Sequence, residues 1–461
     1  MKLENTTNQE ITTIVEAQRA FFRSGETLSL KHRQKALCTL SKALKLWESR
    51  IAEALWKDLH KSYEEAYMTE LSIVLGEIDN HLRHLKLWTT PKPVATPIKM
   101  MPSRSKVMAE PLGCSLIMAP WNYPVQLLLN PLVGAISSGC TAILKPSPYV
   151  PHVSKVLEEM IKESFSPEFI AVVQGNREVN TALLAQRFDI IFFTGSPDLG
   201  RKVMRAASEH LTPVVLELGG KSPCIVDKDA NLTMAARRIA WGKSLNAGQT
   251  CIAPDYLLVH ADIKEQLISA LKKEFTRLHG ANPKEAKHFV RIVNERAFDR
   301  LVGYIQGADV VMGGEYDREE RYIAPTLIDH VDANSPIMQE EIFGPIFPIV
   351  TFSTTEEAIR FVTGREKPLA LYYFGESKKN IHKVLKHTSS GGACINDTIM
   401  HIANEKLPFG GVGQSGMSAY HGKESFKVFS HHRAVVTTPT WLDLPFRYMP
   451  YKLFKWVKKL L

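Results

Sequence analysis

Between Gly113 and Gly220 the chain alternates short apolar runs with helix-length segments, and no other feature restricts its fold as much. The runs Ser115–Met118, Thr141–Leu144, Ile170–Val173, Ile190–Phe193 and Val214–Leu216 predict strands. Between them, Pro124–Ser138, Pro151–Ser164, Asn176–Gln186 and Leu199–His210 have the length of helices. Repeated strand–helix–strand units of this size predict a parallel sheet covered on both faces, since parallel neighbours need a crossover and the crossover helix buries the sheet's apolar side. Such sheets bind ligands at the carboxyl ends of their strands. Three unusual segments fall there: Pro120-Trp121-Asn122, Lys145-Pro146-Ser147 and Thr194-Gly195-Ser196. After Gly220 a second α/β series begins, with helices expected near 231–245 and 262–279 and strands near 256–260 and 347–351.

The first ninety residues read as helical. Leu37, Leu40, Leu44 and Trp47 recur at helical spacing, and the run from Glu64 to Trp88 carries apolar residues at similar intervals. Thr90-Pro91-Lys92-Pro93-Val94-Ala95-Thr96-Pro97 cannot continue a helix, because its prolines remove backbone donors. A connector is expected here, leading into an extended arm near residues 97–110. At 461 residues, the chain suits about three domains. No internal repeat is evident, so solenoid and propeller architectures are not expected.

The net charge of +9 suggests nucleic acid only until its distribution is seen. Residues 440–461 carry five cations and one anion, so nearly half the excess sits in a tail read as a basic amphipathic helix. The rest is spread without an arginine stripe, which excludes a nucleic-acid footprint. The tail suits packing on protein or peripheral contact with an anionic membrane. The six cysteines form no C-x-x-C pair, so neither a zinc site nor a disulfide framework is expected. A polar N-terminus and the lack of a bilayer-length apolar stretch point to a cytoplasmic protein.

Cys251 lies in the polar, glycine-bearing stretch Asn246-Ala247-Gly248-Gln249-Thr250-Cys251, and Glu217 opens Glu217-Leu218-Gly219-Gly220-Lys221-Ser222-Pro223. A lone cysteine is most often a small buried apolar residue. A thiol on a turn with a carboxylate on a glycine-flanked turn also suits covalent chemistry, in which one group attacks and the other activates water. Asn122, flanked by aromatic residues, suits either an oxyanion donor or a helix N-cap ahead of Pro124. Thr194-Gly195-Ser196-Pro197-Asp198-Leu199-Gly200 ends a strand and opens a helix, as at a phosphate site or at a plain turn. It is not the G-x-G-x-x-G fingerprint.

In this order and spacing the segments resemble the aldehyde dehydrogenase superfamily, from about residue 10 to 437. Pro120-Trp121-Asn122-Tyr123-Pro124, Phe193-Thr194-Gly195-Ser196, Glu217-Leu218-Gly219-Gly220-Lys221, Gly248-Gln249-Thr250-Cys251 and Glu341-Ile342-Phe343-Gly344-Pro345 carry the resemblance. The short N-terminal part, Thr250-Cys251-Ile252-Ala253-Pro254-Asp255-Tyr256 and Pro408–Met417 point to the class 3 branch of fatty and aromatic aldehyde dehydrogenases. The resemblance implies an α/β fold with two doubly wound parallel-sheet domains and a small β bridging arm. The cofactor domain would hold 1–88 and 108–216, the catalytic domain 217–427, and the arm 89–107 and 428–439, leaving 440–461 as tail. It further implies Cys251 as nucleophile, Glu217 as the base for water and Asn122 as oxyanion donor. Lys145 and Glu341 would meet the two riboses of NAD, Gly195, Ser196 and Gly200 the pyrophosphate, with Trp121 and Phe343 also at the cofactor. Many NAD-specific members carry a glutamate after the Lys-Pro-small triplet; here Pro148 stands there, so NADP is expected to be accepted too. Tyr123 and His401 are expected along the aldehyde tunnel, no metal is expected, and the arm implies a homodimer. Two alternatives are a semialdehyde dehydrogenase for an acidic substrate and a silent scaffold.

Overall fold

The computed structural model describes residues 3–443, 445, 448–451, 454, 455 and 458. Most of the tail segment Lys452–Leu461 therefore lies outside the described residues, and with it the expected amphipathic helix. No helix among the described residues is long and apolar enough to cross a membrane.

The helical opening is present as Asn8–Arg23, Leu30–Leu59, Tyr63–Ala66 and Ser72–Thr89. Leu37, Leu40, Leu44 and Trp47 share one buried face, as their spacing requires. Tyr67–Leu71 joins the last two helices as a π-turn. Its extra residue shifts the register of the face, so Glu70 points inward.

The first sheet has the order Gly416–Met417, Val214–Leu218, Ile190–Gly195, Cys114–Met118, Thr141–Lys145, Ile170–Val172. All pairs are parallel except that of the two-residue strand, which closes one edge antiparallel. Cys114–Met118 is central, and the connections leave it in opposite directions. The crevice between its carboxyl end and that of Ile190–Gly195 is thus the topological switch point, where parallel sheets bind ligands. The second sheet runs Asp309–Met312, Thr326–Asp329, Ile346–Phe352, Tyr256–His260, Pro223–Val226, Ala370–Phe374, Gly392–Ile395, with only the first strand antiparallel. A third, antiparallel sheet joins Lys92–Val94, Arg104–Pro111 and Ser430–Thr437.

Several expected boundaries move. The division placed at 217 cuts the strand Val214–Leu218, so Glu217 belongs to the first sheet. Gly416–Met417 and the helix Lys423–Val428, expected in the catalytic domain, return to that sheet and to the helix Gln126–Ser138 beneath it. The arm strand continues past 107 to Pro111, because its pairing with Ser430–Thr437 runs that far. The connector around Pro93 forms a short edge strand, the sheet position that tolerates a missing donor. The helix expected from Pro124 starts at Gln126 with Val125 as N-cap, so Asn122 is not a cap.

Candidate active site

The carboxyl ends of the first sheet open into a cleft of about 780 Å³. Met118–Trp121 and Phe193–Ser196 line it from the switch point, and Lys145–Tyr149 from the neighbouring strand end. Lys145 is buried and its ammonium donates to its neighbour's carbonyl, Pro146 O, at 2.8 Å, with no carboxylate beside it among the described residues. Burial alone pulls its pKa down to about 8. An ammonium with unused donors at a cleft wall suits the hydroxyls of a ribose. Ser196 is the N-cap of Pro197–Ser208 with an uncommitted hydroxyl, and Asp198 and Leu199 bring free helix N–H groups to the same wall. That end fits an anionic group such as a pyrophosphate.

Gly200 does not line this cleft. A Cβ there would stand 2.8 Å from Leu218 Cδ2, so the glycine lets the helix settle against the strand that carries Glu217. This packing role stands beside the pyrophosphate role that the resemblance implies.

Beyond Trp121 a smaller cavity of about 200 Å³ is lined by Asn122, Leu127, Glu217, Gly219, Cys251, Glu341 and Phe343, with Gly195 and Ser196 shared between the two spaces. Residues far apart in sequence and on different sheets thus meet in one chamber. Trp121 and Phe343 face each other edge to face at 5.4 Å between centroids, an arrangement that frames its mouth.

The Cys251 turn folds this way because Asn246, Ala247 and Gly248 all adopt left-handed backbone angles, which cast the thiol inward. Only glycine fits at 248, where a Cβ would meet Gly344 O at 2.4 Å. Cys251 is half-buried. Burial and the adjacent Glu341 and Glu217 carboxylates push its thiol up, while the N–H groups of Cys251 and Ile252 oppose this. Glu217 is 3% exposed and neither carboxylate oxygen has a hydrogen-bond partner. Burial pushes its carboxyl well above the usual carboxylate range. Glu341 rests against Gly219, where a Cβ would overlap its carboxylate. Burial, with Asp255 behind it, pushes the Glu341 carboxyl up to about 8. Lys221 clamps that segment by pairing with Asp255 and donating to Ile337 O and Glu340 O at 2.8 and 2.9 Å.

Asn122 donates one amide hydrogen to Gln249 O at 3.0 Å, leaving the second for the chamber. Tyr123 lies outside the chamber, bonded through its hydroxyl to Thr250 Oγ1 at 2.7 Å. His401 is likewise outside it, with Nδ1 3.3 Å from Cys394 Sγ. No metal-binding cluster of His, Cys, Asp or Glu occurs among the described residues. Missed in the sequence were Leu127 and a buried polar network of Lys61, Glu65, Glu70, Asn246 and Gln249 behind Asn122. No local pattern marks that network, since Lys61 lies in the link between two helices and all three charges have polar neighbours.

A switch-point cleft continuous with a thiol–carboxylate–amide chamber defines a two-domain α/β oxidoreductase. The aldehyde dehydrogenase family model matches residues 1–435, and the chain belongs to the aldehyde dehydrogenase family. A 4,4'-diaponeurosporen-aldehyde dehydrogenase of Staphylococcus aureus is 48% identical over 443 residues, 95% of this chain and 96% of its own. A dimeric NADP-preferring aldehyde dehydrogenase of Canis lupus familiaris is 44% identical over 443 residues, 96% of this chain and 98% of its own. Mouse aldehyde dehydrogenase family 3 member A2 is 47% identical over 90% of this chain and 86% of its own. The class 3-like resemblance agrees with these relatives. The solved substrate-bound state of Staphylococcus aureus AldH matches with a TM-score of 0.96 at 47% identity, covering 98% of this chain and 99% of that one.

Proposed function

We propose that this chain oxidises apolar aldehydes, medium- to long-chain aliphatic or aromatic, to carboxylic acids through an acyl group carried on Cys251, with NAD or NADP as cofactor. The observation that carries this reading is the meeting of Cys251, Glu217 and Asn122 in one chamber at the end of the dinucleotide-sized cleft. Lys145, Gly195, Ser196, Trp121, Glu341 and Phe343 would hold the dinucleotide, which supplies the hydride acceptor when bound. Cys251 attacks the carbonyl carbon as thiolate, forming the C–S bond, and the free hydrogen of the Asn122 amide, with the Cys251 N–H, steadies the oxyanion. After oxidation the acyl group is a thioester on Cys251. Glu217 then takes a proton from water, which attacks the thioester and releases the acid and the thiol.

Apart from the residues assigned to the dinucleotide, Leu127 gives the chamber an apolar wall beside Asn122, Glu217 and Cys251, and no Lys, Arg or His side chain lines the chamber among the described residues. The lack of a cation in the chamber lining supports an apolar aldehyde over an acidic semialdehyde; a silent scaffold has no use for two unpartnered buried carboxylate oxygens beside a thiol. A panel from acetaldehyde through decanal and benzaldehyde to succinic semialdehyde, followed by nicotinamide absorbance, tests the reading. Preference for the succinic compound would overturn it.

Pro148 lines the cleft together with Arg177, Lys202, Asp198 and Glu209, and position 148 itself carries no carboxylate to repel a 2′-phosphate. The wild-type chain is expected to turn over both cofactors. Pro148→Glu is expected to raise KM for NADP at least about tenfold and to spare NAD, since juxtaposed like charges cost on the order of several kcal/mol. Equal effects on the two cofactors would reject this account.

The reading includes a homodimer. Ser430–Thr437 is a long edge strand with mostly exposed residues, an arrangement that soluble proteins cover by pairing. Light scattering at micromolar concentration should give twice the 51.8 kDa chain mass. A lone chain at that concentration would remove the dimer from the proposal.

A further inference from the structure

We infer that the buried Lys61–Glu70 pair positions the Asn122 amide: it grips the Trp121–Pro124 turn from the side away from the chamber and so sets the rate of the covalent step without touching substrate. The inference rests on the oxyanion role proposed above for Asn122.

Both side chains are 0% exposed. Lys61 Nζ donates to Glu70 Oε1 at 2.7 Å and to the backbone carbonyl of Asn122 at 3.1 Å, and it stands 4.2 Å from the centre of the Tyr123 ring. The other oxygen of Glu70 accepts from the N–H groups of Val125 at 2.8 Å and Gln126 at 3.3 Å, where the next helix begins. One ion pair therefore holds both ends of the turn that presents Asn122. The π-turn of Tyr67–Leu71 brings Glu70 to this spot, and such turns, costly in hydrogen-bond geometry, concentrate at functional sites.

The same carbonyl of Asn122 accepts a second bond, from Asn246 Nδ2 at 2.9 Å. Asn246 and the Asn122 amide both donate to Gln249 O at 3.0 Å, and Asn246 N–H donates to Glu65 at 2.8 Å. The oxyanion amide and the turn leading to Cys251 are thus registered to one another through a single buried network, with Lys61 and Glu70 as its charged base. A buried ion pair is seldom worth its desolvation in stability alone, and replacing it by apolar side chains of similar volume is often neutral or stabilising. Here the pair also satisfies three backbone groups, so stability is measured beside kcat and the two are compared.

In Lys61→Met/Glu70→Met the thermal midpoint is expected to fall, because the N–H groups of Val125 and Gln126 lose their acceptor, so the test is read in kcat per folded site. Its kcat is expected to fall by about 10²-fold, the scale of roughly 1 Å of misplacement, with KM for the dinucleotide unchanged. Asn122→Ala is expected to cost about 10²–10³ in the wild-type chain, as for a lost oxyanion donor, and less than about tenfold in the double variant, because its amide is already out of place. Should the double variant not fold, Glu70→Gln, which keeps the side-chain volume, carries the same comparison. A folded variant with wild-type kcat, or an undiminished Asn122→Ala penalty within it, overturns this inference alone. A harmless Asn122→Ala in the wild-type chain overturns the oxyanion reading and this inference together.

Discussion

Cys251→Ser is expected to abolish aldehyde oxidation, with a loss on the order of 10⁴ or more, the scale reached when a covalent nucleophile is removed. The serine hydroxyl holds its proton far more tightly than a thiol, and burial raises the pKa of both carboxyls beside it, which favours no anion there. Dinucleotide binding should survive, because the residues assigned to the cofactor reach the cleft from other turns and strand ends. The variant also discriminates between the two meanings of a solitary cysteine. A purely structural Cys251 would lower the melting temperature and leave kcat nearly alone. Titration of the cofactor by fluorescence, alongside initial rates and a melting curve, measures all three quantities. Turnover within tenfold of the wild type would remove sulfur from the reaction.

Glu217→Gln is expected to stop the enzyme after its first half-reaction. The amide has the shape of the carboxyl, and no hydrogen bond of Glu217 is lost because neither oxygen makes one. Attack by Cys251 and oxidation should proceed, giving a burst of about one reduced nicotinamide per active site. Steady turnover should then fall by roughly 10²–10⁴, the usual contribution of a positioned general base. The pH profile supplies the sign. Burial raises the pKa of Glu217 above the usual carboxylate range, so its basic form grows as pH rises, and wild-type deacylation should accelerate with rising pH. The variant should lose that limb. Rapid-mixing absorbance across a pH series measures both effects, and a steady rate near that of the wild type would reassign the base. Glu341, pushed up to about 8 in the same chamber, is the group to substitute next in that event.

Thiol, Glu217 and Glu341 share one low-polarity space, so their protons are not independent. Ionising one makes the next ionisation harder, and the profile will report the set rather than a single residue.

The parallel-sheet domains were legible in the chain because strand and helix periodicities differ and each imposes its own spacing on apolar residues. Pro151–Ser164 and Tyr256–His260 have the bounds their spacing suggests. The segments ending strands were legible too, since glycine and proline interrupt both periods. The Gly200 role was not. Its need for a bare backbone comes from Leu218 on another strand, which no local pattern reports. Nor was the return of Gly416–Met417 and Lys423–Val428 to the first sheet, which depends on an edge left open two hundred residues earlier. Lys61 and Glu70 were invisible for a related reason: charges with polar neighbours read as solvated until the fold closes over them.

By itself the sequence determined which short segments become strands, which become helices, and which residue types stand at the turns between them. All of that follows from backbone sterics and the period of apolar burial, which act over a few residues. Only the tertiary structure decided that Asn122, Glu217, Cys251 and Glu341 enclose one chamber and that a buried ion pair backs the first of them. Their meeting depends on how the turns beyond the two sheets come together, and that is fixed by contacts between residues that no local spacing relates.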